Sequence, residues 1–363
     1  MKTRNLNEQQ ILQKLSSDEL LLSPLKIELV KINPVFRNLS QQLVQADAEI
    51  KVIWGDISAI FVVEIKNRYT PSVIMQAKEQ IQRIASISKS LPIIIIPYLS
   101  PDRINELASE EMSAIDLCGN GVVTIPNRVF VLRTGMPNRF SEVRAQSNLY
   151  RGQQSIILRA LLARPNVNSL NDLLNNIKEL GGSLSLPSVS KVVTVLTEEL
   201  IVTKERRRIQ LVQPDLLLDK LSANYIKPEE NRRIKIKSSL NIIDLRRKIV
   251  EIADEQCIRV TATGTSSAER YAILAQSKPL SVYCENINEL LKDIPYEETP
   301  WFPNLDVIET SNQSVYIDTR QDNDFIWASP VQTYLELMNE DARAQSIAVN
   351  VRQFILEEIA KWK

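Results

Sequence analysis

From residue 46 the chain runs through short segments whose apolar positions either alternate or fill the segment. Ala46-Asp47-Ala48-Glu49-Ile50-Lys51-Val52-Ile53-Trp54 alternates as a half-buried strand does. Ala59-Ile60-Phe61-Val62-Val63-Glu64-Ile65-Lys66 is more continuously apolar, which predicts a central strand. A helix follows from Pro71 to about residue 88, with proline in its first turn where no helical N–H is needed. Residues 92–96 predict a buried strand, 101–111 a helix, and 115–117 and 122–125 short strands around Gly119-Asn120-Gly121. Between 153 and 213 the period changes. Residues 155–162 have helical apolar spacing and stop before Pro165. Leu170, Leu173, Leu174 and Ile177 mark one face of a second helix, which ends at Gly181-Gly182. Val189, Val192, Val193 and Leu196 mark a third. Leu200-Ile201-Val202 and Ile209-Gln210-Leu211-Val212 flank the charged tip Lys204-Glu205-Arg206-Arg207-Arg208 and read as a hairpin. Beyond it, 227–237 reads as a basic linker with one short strand and 241–255 as a helix. Strands are expected at 259–262, 280–284, 306–309 and 315–318, and closing helices from Pro330 and Asp341.

These patterns give an α/β multi-domain fold class, with expected domains at 1–150, 151–225 and 226–363. The longest aliphatic stretch, 91–97, falls far short of the ~20 residues a membrane helix requires. Met1-Lys2-Thr3-Arg4-Asn5 leads into a polar amphipathic pattern without an apolar signal core, so a cytoplasmic location is expected. The three cysteines, Cys118, Cys257 and Cys284, are too far apart for a metal motif or a disulfide framework. Histidine is absent, which removes imidazole catalysis and His-ligated zinc. Phosphoryl chemistry in this chain would therefore rest on carboxylates, lysine and an oxygen-bound metal.

Charge is unevenly distributed although the net is zero. Residues 151–213 carry 9 Lys+Arg against 5 Asp+Glu, and 226–248 carry 8 against 3. Residues 249–363 carry 9 against 19. An acidic last third repels phosphates, so a nucleic-acid footprint is expected within the first 248 residues.

Strand alternation puts Glu64 and Lys66 on one face, and Asp47 joins them if its strand pairs alongside. Two carboxylates so placed can hold Mg²⁺ through oxygen, with Lys66 beside the developing phosphate charge. Asp47 followed by Glu64-x-Lys66 resembles the PD-(D/E)xK nuclease superfamily, in which the following helix often carries a polar residue, here Gln76 or Gln80. The residue before Asp47 is Ala46, where the motif has proline. Glu49 shares Asp47's face, and Glu19 or Glu28 in the preceding region, read as helical, offers a further carboxylate. The alternatives are a surface ion pair between Glu64 and Lys66, or a nuclease fold without activity.

Three short helices and a basic hairpin resemble the winged helix-turn-helix family of bacterial regulators. That resemblance implies that Ser188, Ser190, Lys191 and Thr194 face the major groove of double-stranded DNA. It also implies that Lys204, Arg206, Arg207 and Arg208 meet phosphates or the minor groove. Further on, Gly264-Thr265-Ser266 between a strand and a helix has the look of a nucleotidyltransferase turn. The expected D-x-D pair is missing, Asp322-x-Asp324 falls in a polar loop, and packing or capping is the better account of these residues. The C-terminal α/β domain thus resembles at most a degenerate nucleotidyltransferase. Asp116-Leu117-Cys118-Gly119-Asn120, Ala328-Ser329-Pro330-Val331-Gln332 and the order of segments resemble the long form of the AbiEi-like antitoxin and regulator family of type IV toxin–antitoxin systems. The resemblance implies a DNA-binding autorepressor that meets a cognate toxin, or a second copy of itself, through its C-terminal domain. A Mg²⁺-dependent endonuclease is the alternative.

Overall fold

In the computed structural model, which describes residues 8–16, 22, 24–38, 41–140, 149–273, 279–322 and 325–362, the chain is a mixed α/β protein divided into two units, Met1–Arg144 and Ala145–Lys363. Among the described residues no helix is long and apolar enough to cross a membrane.

The first unit begins with α1 (Glu8–Ser16), β1 (Lys26–Ile32) and the small hairpin of β2 (Val35–Arg37) and β3 (Leu43–Gln45). A long hairpin, β4 (Ala48–Trp54) and β5 (Ile57–Ile65), comes next. Then come α2 (Pro71–Ser88), β6 (Leu91–Ile96), α3 (Pro101–Ser109), β7 (Ser113–Asp116), β8 (Gly121–Ile125) and β9 (Val129–Arg133). Seven strands make one sheet in the order β1-β4-β5-β6-β7-β8-β9. β5, β6 and β7 are parallel because α2 and α3 provide the crossovers, and the remaining neighbours are antiparallel. Both faces are covered, which explains the unbroken apolar runs: Phe61, Val63, Ile93 and Ile95 pack on one side with Ile11 of α1. Val62, Ile94 and Ile96 pack on the other with Ile74, Ala77, Ile81 and Ile84 of α2. The region of Glu28, expected to be helical, is strand β1. Only Ile27 of this strand is fully buried, which leaves no alternation for the sequence to show. The structure also adds β9, which the sequence reading omitted.

The second unit contains α4 (Ser155–Ala163), β10 (Asn166–Val167), α5 (Leu170–Glu179), α6 (Leu186–Glu198), β11 (Val202–Glu205), β12 (Arg208–Leu211) and α7 (Pro214–Ala223). β10, β12 and β11 form a small antiparallel sheet. β13 (Arg232–Ser238), α8 (Ile242–Gln256), β14 (Val260–Ala262), α9 (Gly264–Ala268), β15 (Leu280–Cys284), α10 (Ile287–Leu291), β16 (Tyr296–Glu298) and β17 (Leu305–Glu309) follow. Their five strands are ordered β14-β15-β17-β13-β16. The short pair β18 (Arg320–Gln321) and β19 (Ile326–Trp327) precedes α11 (Pro330–Met338) and α12 (Ala342–Ala360).

Two expectations are corrected here. The segment read as a basic linker with one short strand does hold a strand, β13, but it is seven residues long and paired on both sides, with β17 and β16, so it is part of the sheet and not a linker. Residues 315–318 are not a strand: a 3₁₀ turn, Gln313–Tyr316, occupies that stretch, begun by Asn312, whose side chain accepts from the Ser314 N–H. Segments 151–225 and 226–363 lie in the same unit and share a core. Leu158, Leu161, Val193 and Leu217 pack in one cluster with Val331, Tyr334, Leu335, Val351 and Ile355. Each such side chain, fully buried, contributes about 1.5–3 kcal/mol.

The stretch Asp116-Leu117-Cys118-Gly119-Asn120 is a turn at the end of β7. The buried Asp116 carboxylate accepts from the backbone N–H groups of Leu99 (2.9 Å), Cys118 (2.8 Å) and Asn120 (2.8 Å), and from Asn120 Nδ2 at 2.8 Å. Gly119 takes φ 100°, and a Cβ at Gly121 would lie 2.6 Å from the Ala114 carbonyl, so neither site tolerates a side chain. Asp116→Ala strands three buried N–H groups and is expected to lower stability by about 3 kcal/mol or more. Urea denaturation with amide exchange at Leu99, Cys118 and Asn120 checks this, and an unchanged midpoint would show that the carboxylate does not hold the turn.

Candidate functional site

The β4–β5 register pairs Ala48 with Val63, and the Asp47 N–H donates to the Val63 carbonyl at 3.1 Å. One step further along, Asp47 faces Glu64 across the end of the hairpin. Asp47 Oδ2 accepts from the Ile65 N–H at 2.6 Å, which fixes its carboxylate against β5. Glu64 is buried on the α2 side of the sheet. It pairs through Oε1 with Lys66 Nζ, and its Oε2 accepts from Gln80 Nε2 of α2 at 2.9 Å. Burial raises the Glu64 carboxyl above its ordinary range, and the negative charges of Asp47 and of Glu8 on α1 push the same way, against the bond and charge of Lys66.

The structure therefore brings Asp47, Glu64, Lys66 and Gln80 together. Gln76 stands one turn earlier on α2, lining with Gln45, Gln80 and Arg83 an open groove of about 630 Å³. Glu49 pairs in register with Val62 on the same strand face and with Lys31 of β1. Glu28 does not join the site: it is opposite Lys51, well down the sheet, and forms an ion pair with Lys26 at 2.8 Å. Glu19 lies outside the described residues. Glu8 was missed, because nothing local in α1 signals that its first turn approaches Glu64.

The donor chemistry suits a hard cation. A carboxylate has about four lone-pair positions. Asp47 gives one to Ile65, and Glu64 gives one each to Lys66 and Gln80, so both keep acceptor capacity. Mg²⁺ is typically held by one or two protein carboxylates together with water and substrate phosphate. Among the described residues there is no group of three or more acidic or cysteine side chains set to hold a metal.

In the second unit, α6 buries Val189, Val192, Val193 and Leu196. Lys191 and Thr194 are on its exposed face, and Ser188 and Ser190 are half-buried beside them. Ser188 Oγ shares a hydrogen bond of 2.9 Å with Ser185 Oγ, and Thr194 Oγ1 donates to the Ser190 carbonyl at 3.0 Å. Thr194 thus keeps its lone pairs but commits its proton locally, whereas either serine can be the donor in the Ser185–Ser188 pair. At the hairpin, Glu205 pairs with Arg208 and the two-residue turn Arg206-Arg207 closes it, with Arg206 at φ 55°. Lys204, Arg206, Arg207 and Arg208 are all exposed. In the loop after β18, Asp322 accepts from Phe325 N and from Trp327 Nε1 at 2.9 Å, a packing role. Asp324 lies outside the described residues.

No family model, no curated protein and no solved structure matches the chain.

The sign of the Glu64 shift makes a prediction. A carboxyl whose folded pKa is raised contributes stability that is fully present below the ordinary value of 4.5 and lost as pH rises through the folded value. Glu64→Gln removes that loss, so its urea midpoint should gain on the wild type as pH rises from acid to neutral. A constant difference across that range would show that Glu64 does not titrate abnormally.

Proposed function

We propose that the chain is a double-stranded-DNA-binding transcriptional regulator whose α4, α5, α6 and β11–β12 hairpin form a winged helix-turn-helix. The observation that carries this reading is the exposed cationic tip of Lys204, Arg206, Arg207 and Arg208 beside the exposed Lys191–Thr194 face of α6. A helix of this size fits the major groove, and exposed arginines on a short hairpin meet phosphates without the desolvation cost of buried charge. Lys191 and Thr194, with Ser188 and Ser190, are then the base-reading set, and the hairpin supplies sequence-independent affinity. An antitoxin role of the AbiEi type, in a cytoplasmic complex with a cognate toxin or a second copy, belongs to this proposal. Replacing Arg206, Arg207 and Arg208 with Ala should weaken binding to all duplexes and reduce the slope of log affinity against log salt by roughly 3. Anisotropy titrations at several salt concentrations measure this, and an unchanged slope would sink the hairpin assignment. Lys191→Ala should instead blur sequence preference.

A second reading is favoured by the convergence of Asp47, Glu64, Lys66 and Gln80 at one place in the seven-stranded sheet. In it the first unit would be a restriction-endonuclease-like PD-(D/E)xK nuclease in which Asp47 and Glu64 would hold Mg²⁺, a cation that when bound would lower the pKa of a coordinated water. Lys66 offers its ammonium to the phosphate, and Gln80 keeps Glu64 turned toward the site. This reading expects Mg²⁺- or Mn²⁺-dependent cleavage of plasmid or single-stranded DNA that falls at least about 100-fold in Lys66→Ala. Cleavage equal in the two proteins would assign it to a contaminant. Intact DNA in both would leave this unit a nuclease fold serving a regulator.

A further inference from the structure

Two tyrosines stand at the sheet end that carries Asp47, Glu64 and Lys66. β5 and β6 run parallel, and the Lys66 N–H donates to the Ile95 carbonyl at 3.0 Å, so both strands leave the sheet side by side. Tyr69 comes three residues after Lys66, and Tyr98 three residues after Ile95. Three residues span at most about 11 Å, which keeps Tyr69 close to the carboxylates. The two rings meet edge on, with centroids 6.0 Å apart and planes at 84°. Tyr98 packs against the core, whereas Tyr69 remains 38% exposed.

The segment after β9 holds Tyr69 from a second direction. Asn138 Nδ2 donates to the Tyr69 hydroxyl at 3.3 Å, and Asn138 Oδ1 accepts from the N–H of the buried Phe140 at 2.8 Å. This segment is tied to the Asp116–Asn120 turn. The Met136 N–H donates to Asn120 Oδ1 at 2.7 Å, Asn120 Nδ2 to the Met136 carbonyl at 3.1 Å, and the Arg139 N–H to Cys118 Sγ at 3.4 Å. Asp116 therefore fixes Asn120, Asn120 fixes Met136, and Asn138, two residues on, reaches Tyr69.

A ring needed only for packing would be buried. Tyr69 is held at its edge and at its hydroxyl and still meets water, which makes it a preorganised stacking surface. Ligands of open α/β sheets gather at the carboxyl ends of parallel strands, and Tyr69 stands at that end. A nucleobase offers a flat face whatever its sequence, but only once it has left its own stack. We propose that Tyr69, backed by Tyr98 and Asn138, stacks an unpaired base of a single DNA strand whose neighbouring phosphate lies at the Asp47, Glu64 and Lys66 site. This rests on the nuclease reading above and narrows its substrate to DNA with an unstacked base beside the scissile phosphate. A fully paired duplex offers the ring no free face.

The test is equilibrium binding by the full chain, without divalent metal so that no strand is cut. The probes are a labelled oligothymidylate of about 15 nucleotides and an abasic strand of the same length. Both carry the same phosphates, so the hairpin arginines contribute equally to each. The wild type should bind the oligothymidylate about tenfold more tightly than the abasic strand. Tyr69→Leu and the smaller Tyr69→Ser should both lose that preference and keep their affinity for the abasic strand. Tyr69→Phe, which gives up only the bond from Asn138, should retain it. Equal binding of the two strands by the wild type overturns the proposal, and so does a preference that survives in Tyr69→Leu or Tyr69→Ser. Metal-dependent cleavage by the wild type tests the nuclease reading separately. Base preference without cleavage sustains the stacking site and fails that reading, and cleavage without base preference does the reverse.

Discussion

Arg159 sets the terms on which the second unit is assembled. It lies in the middle of α4, where residues from Ser155 to Leu162 are all buried. Removing a guanidinium from water costs several kcal/mol, repaid only by good hydrogen bonds. Its Nη1 donates to the Ser314 carbonyl at 3.0 Å and to Gln332 Oε1 at 2.6 Å, while Nε finds no partner among the described residues. Gln332 passes the interaction on to Glu336, whose carboxyl burial raises above its ordinary range. Breaking such a buried network by removing one member costs about 3–5 kcal/mol, because the other is left uncompensated. α4 and α11 are therefore held at one rotation and one height relative to each other. Arg352 adds a second tie at the surface, from α12 to Asp215 and Asp219 of α7. Those exposed bonds are each worth under about 1 kcal/mol and trim the arrangement more than they create it.

The same accounting separates two carboxylates of the first unit. Asp116 and Glu64 are both buried at 1% exposure, on neighbouring parts of one sheet. Asp116 is saturated by four N–H donors, three of them backbone, so it is spent on shaping a turn. Among the described residues Glu64 receives only Lys66 and Gln80, keeps lone pairs, and is shifted toward protonation by burial and by its acidic neighbours. A group left in that state is the one to suspect of chemistry. The Asp116 turn, one of the pieces on which the resemblance to antitoxins rests, thus speaks for the shape of the chain more than for its activity.

Much of this organisation was readable from period and punctuation. The β4–β5 hairpin, α2, the three helices after residue 153 and the cationic hairpin all follow from alternation, from 3.6-residue spacing and from proline or glycine at their ends. The convergence of Asp47 with Glu64 was readable too, because period two and a short turn leave few other registers. What escaped was non-local. The apolar spacing around Arg159 invites an exposed arginine, and only α11 and α12, more than 160 residues later, make that face interior. Glu28 was placed on a helix because β1 shows little alternation, with Ile27 its one buried residue and a register shift between Leu29 and Lys31. Residues 315–318 look like a strand by composition, and a side-chain turn at Asn312 wins instead.

Charge shows most clearly how sequence position and spatial position part company. Residues 226–248 are as rich in Lys and Arg as any segment, and by count alone they rival the hairpin as a landing site for phosphates. Folding neutralises much of that excess. Along β13, Arg232 lies opposite Glu309, Lys235 opposite Asp306 and Lys237 opposite Glu297, and Arg233 grips Asp306 with both arms of its fork. Opposite charges facing across a sheet favour the register by a few tenths of a kcal/mol or more each. The acidic last third of the chain is thus partly the counter-charge to this one strand, and not only a region that repels nucleic acid. The hairpin from Lys204 to Arg208 differs: its paired strands face each other with Glu205 against Arg208, and Arg206 and Arg207 project from the turn with no acidic strand opposite them. Cationic charge of the same density is structural in one place and available in the other, and the strand register decides which.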